Sequence, residues 1–159
     1  MRYAIVYGLI AGTIIILTMI AGFELTARDS FAHTLWYGYT LMLAVLTIMF
    51  VGIKRYRDVE CGGVIRFGRA FALGLGMAAF AAVAYAAIFE AYLAATHYQM
   101  LDDMMAAAAP ADRAALEGML LDPLARVSFV FIELFPVGFV VALVSALLLR
   151  NPRMLPAAR

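Results

Sequence analysis

Long runs of apolar residues alternate with short polar segments along this chain. Three of the runs hold no charged residue, and the fourth is interrupted by a single acid, Glu133. The runs cover residues 3–23, 34–53, 70–89 and 127–149. Each is close to the ~20 residues that an α-helix needs to cross about 30 Å of hydrocarbon. The pattern therefore predicts four transmembrane helices.

The runs occupy so much of the chain that one domain accounts for all of it. We expect an all-α fold, an integral membrane four-helix bundle formed by residues 1–159 as a single transmembrane domain. Its spans are predicted at about 3–24, 34–53, 67–93 and 126–149. Composition supports this fold, since 66% of the residues are hydrophobic and 14% are charged. Average soluble domains are roughly half apolar and a quarter charged.

The polar stretch between the third and fourth runs has a helical pattern of its own. Pro110 can occupy the first position of a helix, and Asp112 would then lie in the first turn, where a carboxylate suits the helix dipole. Leu116, Met119 and Leu120 follow at helical spacing. We therefore expect a short amphipathic helix in the outer loop between spans 3 and 4.

Lysine and arginine are distributed unevenly around the runs. Nine of the 12 lie before the first run, between the second and third, or after the fourth. The other three lie in the two remaining loops, at residues 24–33 and 94–126. Loops rich in lysine and arginine stay in the cytoplasm. Both termini are therefore predicted to be cytoplasmic, with the other two loops facing outward.

Small residues recur at intervals of four in three of the four spans. Helices in lipid associate by close backbone approach, because burying apolar area against each other gains little there. Spans 1, 3 and 4 should therefore pack tightly, whereas span 2 lacks such a row and we expect it to face more lipid. Span 3 has two such rows. The rows contain Gly8 and Gly12 in span 1, Gly68, Ala72 and Gly76 and also Gly74, Ala78, Ala82 and Ala86 in span 3, and Gly138, Ala142 and Ala146 in span 4.

Three glutamates lie at similar calculated depths toward the outer side. With a rise of 1.5 Å per residue, Glu24, Glu90 and Glu133 lie roughly 33, 31 and 25 Å from the basic ends of their helices. His97 would share the helical face of Glu90 if that helix continued. Acids inside a membrane are costly and mark candidate functional sites. These three glutamates and His97 are the candidate ligands of a metal site.

Glu133 is the acid that interrupts a run. Arg126 precedes it by seven residues, and we expect the arginine to reach the same helical face. Pro136 follows three residues later and frees a backbone carbonyl at a similar depth. A broken helix beside an acid recurs in ion-binding membrane proteins. The alternative interpretation is a structural hydrogen bond or ion pair between Glu133 and another span.

The segment between the second and third runs is the most basic part of the chain. Its cationic side chains are predicted to contact lipid phosphates, and Asp58 and Glu60 are available to pair with some of them. The predicted lipid-contacting residues are Lys54, Arg55, Arg57, Arg66 and Arg69.

This segment also carries a family resemblance. The chain resembles an uncharacterised bacterial family of small four-span inner-membrane proteins, which is a family built on a domain of unknown function. The resemblance implies a location in the bacterial inner membrane and assigns no catalytic residue. The features that carry it are the sequence Gly52-Ile53-Lys54-x-Tyr56-Arg57-Asp58, the Gly62-Gly63 turn, the sequence Phe67-Gly68-x-Ala70-Phe71, and Tyr7-Gly8 followed by Gly12.

The chain contains no motif typical of an enzyme. HExxH, a P-loop, a Rossmann fingerprint and a nucleophile elbow are all missing from the sequence. We therefore predict no catalytic residue and no cofactor. A net charge of +1 indicates no general attraction to nucleic acid. Cys61 is the only cysteine, so an intrachain disulfide is impossible.

Three functional hypotheses follow. The leading one is a structural or accessory membrane protein whose partners are the lipid bilayer and either further copies of itself or a larger membrane complex. The alternative is a small oligomeric transporter, or an ion- or metal-binding membrane protein, that uses the outer-leaflet carboxylates. The third is an enzyme acting on lipid at the outer face, which requires Glu133 and His97 to converge within hydrogen-bonding reach.

Overall fold

The computed structural model describes residues 1–25, 35–110 and 113–151. The described residues are helical with no strand, and four of the helices are long and apolar enough to cross a membrane: α1, α2, α3 and α6. The prediction of an all-α fold with four helices long and apolar enough to span a membrane is confirmed. The helices are α1 (Arg2–Leu25), α2 (Leu35–Glu60), α3 (Phe67–Ala95), α4 (Gln99–Ala107), α5 (Arg113–Leu120) and α6 (Pro123–Leu149).

Two of the spanning helices extend beyond the apolar runs. Helix α2 continues to Glu60, seven residues past the predicted end of span 2. Helix α6 begins three residues before the predicted start of span 4, because Asp122 caps it by accepting a 3.0 Å hydrogen bond from the Leu124 amide. Pro123 occupies the first helical position, where its missing N–H costs nothing. Local capping chemistry, which hydropathy ignores, sets this boundary.

The connection between α3 and α6 contains two short helices, α4 and α5, where one was expected. Helix α4 lies against the end of α3, with Leu93 and Leu101 buried together. Helix α5 begins at Arg113, and Asp112 lies outside the described residues. The pattern predicted as helical is confirmed by α5, and Pro110 lies in a turn after α4.

A glycine turn reverses the chain between α2 and α3. Gly62 and Gly63 have φ angles of 63° and 87°, a region that side chains with a Cβ rarely enter. The carbonyl of Arg57 accepts hydrogen bonds from the amides of both Cys61 and Gly63, which closes the end of α2. The predicted Gly-Gly turn is present, and it sets α2 and α3 antiparallel.

Helix α3 packs against α6 along the predicted row of small residues. A Cβ at Gly74 would lie 2.6 Å from the Cβ of Ala142, and a Cβ at Gly138 would lie 2.6 Å from that of Ala78. Four residues forward on α3 thus correspond to four residues back on α6, which is antiparallel packing with one constant register. Contacts this short require glycine, and they let the two backbones approach closely.

A second face of α3 packs against α1. A Cβ at Gly8 would lie 2.5 Å from the carbonyl oxygen of Met77, and a Cβ at Gly12 would collide with the backbone of Ala81. Both positions advance by four together, so α1 and α3 run in the same direction. Helix α3 is therefore the centre of the bundle, with α1 on one side and α6 on the other. No direct contact between α1 and α6 occurs within the described parts of the chain.

Helix α2 completes the bundle by contacting α1, α6 and α3. Its buried stripe consists of Met42, Leu46, Met49 and Ile53, each at most 1% exposed. The buried share of α2 is about the same as that of α6. Span 2 is therefore less buried than spans 1 and 3, as expected, but it is not less buried than span 4. Long side chains at helical spacing bury this helix, where the other contacts use small residues.

We expect Gly12→Ala to destabilise the bundle by about 1–3 kcal/mol, because the added methyl group has no space against α3. Gly68→Ala is the matched control, since nothing lies within 4 Å of a Cβ at that position. It should change stability by less than about 1 kcal/mol. The free energy of unfolding in detergent, followed by circular dichroism, measures both. Equal effects of the two substitutions would contradict the close contact between α1 and α3.

Candidate functional site

The two ends of the bundle carry different charges and different structures. At one end α1 and α3 begin and α2 and α6 end; we call this the basic end. Arg2 donates a hydrogen bond to Glu60 there, and the Arg69 guanidinium lies 5.4 Å from the centroid of the Tyr56 ring. At the opposite end, which we call the loop end, α3 is followed by α4 and α5 and α6 begins.

A paired arginine and glutamate join α3 to α6 at the loop end. Arg126 donates from two nitrogens to the two carboxylate oxygens of Glu90, each at 2.7 Å. The Arg126 side chain is 4% exposed and that of Glu90 is 26% exposed. Such a two-pronged pair is both strong and geometrically specific. The pair keeps the register of the small-residue contact, because Glu90 follows Ala86 by four and Arg126 precedes Gly138 by three steps of four.

Tyr98 covers the same arginine from the connection after α3. Its ring centroid lies 5.7 Å from the Arg126 guanidinium, within the range of a cation–π contact. The chain reaches this position through His97 and Tyr98, whose φ angles of 51° and 60° are uncommon for residues other than glycine. The Tyr98 amide donates a 2.8 Å hydrogen bond to the carbonyl of Leu93, which holds the turn.

This turn changes the position expected for His97. Helix α3 ends at Ala95, so His97 does not continue the helical face that carries Glu90. Its side chain is exposed. The sequence placed His97 on the face of Glu90 only if α3 continued past His97. Since α3 ends at Ala95, this condition is not met.

Glu133 lies apart from the ion pair. The expectation that Arg126 reaches Glu133 is wrong, because the register of α3 and α6 places Arg126 opposite Glu90. Glu133 is seven residues further along α6, or ~10 Å deeper in the bundle. The glutamates therefore do not share one layer. Glu133 is half-buried and interacts electrostatically with Tyr85. Within the described residues its carboxyl group makes no hydrogen bond and no ion pair.

The candidate metal ligands do not assemble in the part of the chain that the structure describes. No group of three histidine, cysteine, aspartate or glutamate side chains is close enough there to hold an ion. Glu90 is engaged by Arg126, and His97 is exposed. The backbone of Glu24 belongs to α1, but its side chain lies outside the described residues. A metal site that includes Glu24 stays a prediction.

The five cationic residues predicted to contact lipid divide into two groups at the basic end. Arg57 is fully buried, and its Nε lies 2.7 Å from Asp58 Oδ1. Lys54 Nζ lies 2.7 Å from Asp58 Oδ2. Asp58 thus holds two of the cations inside α2. Arg55, Arg66 and Arg69 are exposed and remain available for lipid phosphates.

Two of the exposed arginines border a shallow depression beside the start of α3. Its lining combines basic and apolar groups, since Val64 and Ile65 lie between the cysteine and the arginines. Helix α3 begins there without a side-chain cap, so its first amides point toward the same surface. The lining residues are Cys61, Val64, Ile65, Arg66, Gly68 and Arg69.

Residues 2–151 match the sequence profile of a protein family of unknown function, DUF4199. The chain belongs to the DUF4199 family. No curated protein and no solved structure matches it. The resemblance expected from the segment around residues 50–76 is thus confirmed for a family of unknown function, and the match extends over nearly the whole chain. DUF4199 membership assigns no activity to any of the residues described above.

Sequence reasoning missed the ion pair between Glu90 and Arg126, although a signal for it was present. The rows at intervals of four in α3 and α6 run directly into these two residues. Extending the α3 row by one step of four and the α6 row by three steps, in antiparallel register, brings the acid opposite the base. In this DUF4199 chain the row of small residues therefore ends in a charge pair.

Arg126→Met is expected to destabilise the bundle by about 3 kcal/mol, since it leaves the Glu90 carboxylate desolvated without its cation. This loss of stability is at the lower end of the range for breaking a buried ion pair, because Glu90 is partly exposed. Arg126→Met combined with Glu90→Gln should recover part of the loss. Arg113→Met, an exposed arginine at the same end, is the control and should change stability by less than about 0.5 kcal/mol. Additive effects of the Arg126 and Glu90 substitutions would contradict coupling between them.

Proposed function

We propose that this DUF4199 protein is a structural or accessory protein of the bacterial inner membrane that binds lipid and protein partners through its surface. The observation that carries the proposal is the separation of its charges. Lys54, Arg57 and Arg126 are satisfied by acids within the bundle, whereas the exposed arginines of the basic end point outward. The paired cations stabilise the fold, and the exposed arginines are free to contact lipid or protein partners.

The proposed orientation places both termini and the basic end in the cytoplasm. Its support is the excess of lysine and arginine at that end, which follows the positive-inside rule. Anionic lipids of the cytoplasmic leaflet attract basic segments by about 1 kcal/mol per lysine or arginine near the surface. Labelling of Cys61 by an impermeant thiol reagent in inverted vesicles, and not in intact cells, checks this orientation.

Lipid retention tests the proposed role of the basic end. Arg66→Gln with Arg69→Gln should weaken the binding of anionic phospholipid roughly thirtyfold, the equivalent of two surface arginines. Native mass spectrometry of the protein extracted in mild detergent counts the retained lipids and any co-purifying protein. Arg113→Gln is the control for charge at the loop end and should leave retention unchanged. A wild-type chain that emerges alone, without enriched lipid or partner, would contradict the proposal.

A second candidate function is a small oligomeric transporter or ion-binding protein, and Glu133 is the observation that favours it. This carboxyl group lies within a spanning helix without an ion pair among the described residues, and Pro136, one turn later, frees the backbone carbonyl of the adjacent Ile132. Because α3 packs closely against both α1 and α6, the four helices enclose little volume. In this proposal a path for ions therefore lies between protomers. Glu133→Gln should abolish cation-dependent uptake by proteoliposomes. Identical traces from wild type and variant would remove this candidate.

A further inference from the structure

Glu133 is the polar group that the fold leaves unexplained. It lies ten residues after the start of α6, or about 15 Å from the loop end, and is therefore at the depth of the hydrocarbon layer. The described part of the chain offers it an electrostatic neighbour, Tyr85, but no hydrogen bond. A polar group in hydrocarbon without a hydrogen-bond partner is strongly unfavourable. Asp58, Glu60 and Glu90, the other acids of the spans whose side chains the structure describes, are all paired.

Glu133 lies at the border between the buried and the exposed faces of α6. Val130, one turn before it, is buried in the core, whereas other neighbours face away from the bundle. Phe129, Pro136 and Val140 precede or follow it by four, three and seven residues, so they share its helical face. All three are exposed. The exposed face of α6 therefore consists of an apolar stripe with one carboxyl group at its edge. Lipid tails cover the apolar residues adequately, but they supply no donor or acceptor for the acid.

A second copy of this chain supplies the missing hydrogen bonds. Hydrocarbon favours the neutral form of a carboxylic acid, because a charge is costly there. A neutral carboxyl group is both a donor and an acceptor, so it is complementary to itself. A twofold axis brings identical residues of two copies together. A single carboxyl group on an exposed helix face is thus satisfied by its own symmetry mate without any other polar residue.

We propose that the protein forms a symmetric dimer through the face of α6 that contains Phe129, Glu133, Pro136 and Val140, with hydrogen bonds between the two Glu133 carboxyl groups. Polar side chains commonly join helices within membranes in this way. The dimer goes beyond both candidate functions, because it applies whether or not the protein transports ions and does not involve the basic end.

Disulfide cross-linking in proteoliposomes tests the dimer. In a Cys61→Ser background, Val140→Cys places the only thiol on the proposed interface. The matched control is Leu17→Cys on α1, since Leu17 and Val140 are 54% and 53% exposed. A membrane-permeant oxidant should cross-link Val140→Cys into dimers that persist as lipid is added. Leu17→Cys should give only collisional dimers that disappear on lipid dilution. Loss of the Val140→Cys dimer on dilution would overturn the proposal.

Substitutions of Glu133 test the role of the carboxyl group itself. Glu133→Leu should weaken association about tenfold, as expected for the loss of interhelical hydrogen bonding in lipid. Glu133→Gln should retain most of it, because an amide is also donor and acceptor. Circular dichroism confirms that each variant is helical before cross-linking. Equal cross-linking by Glu133→Leu and wild-type Glu133 would overturn the assignment, whatever uptake assays or lipid retention show.

Discussion

Close backbone approach on two faces of α3 is the constraint on which the rest of the structure depends. In a bilayer, apolar side chains gain little by leaving lipid for another helix, so contact area must come from backbones that lie near each other. Gly8 and Gly12 provide this against α1, and Gly74 and Gly138 provide it between α3 and α6. Helix α3 is thereby the most buried span, and the other three are arranged around it.

The register of the α3–α6 contact also decides where the charges lie. Because the rows advance in steps of four, the contact that begins among small residues ends with Arg126 opposite Glu90. At the basic end, α2 extends past its apolar run and holds Arg57 and Lys54 against Asp58. Each end of the bundle therefore contains ion pairs within or between helices. Among the described residues, Arg55, Arg66 and Arg69 stay exposed at the basic end, and Glu133 has no ion pair.

These groups mark two candidate functional surfaces. The basic end, around Arg66 and Arg69, combines positive charge with a shallow depression at the level expected for lipid headgroups. The α6 face around Glu133 lies within the hydrocarbon layer and is suited to another helix. An accessory membrane protein with a lipid-binding end and a lateral self-contact is consistent with both surfaces, and neither depends on the outer-loop residues.

The amino-acid sequence by itself determined the spans, the glycine turn and the small-residue seams, because hydropathy, positive φ and spacing by four are local properties. It determined neither the partner of Arg126 nor the burial of α2. Glu133 is nearer to Arg126 in sequence, yet antiparallel register across two helices pairs this arginine with Glu90. Likewise, the long side chains from Met42 to Ile53 were expected to face lipid, but contacts with three neighbouring helices bury them. Both outcomes depend on how helices distant in sequence align, which only the tertiary structure decides.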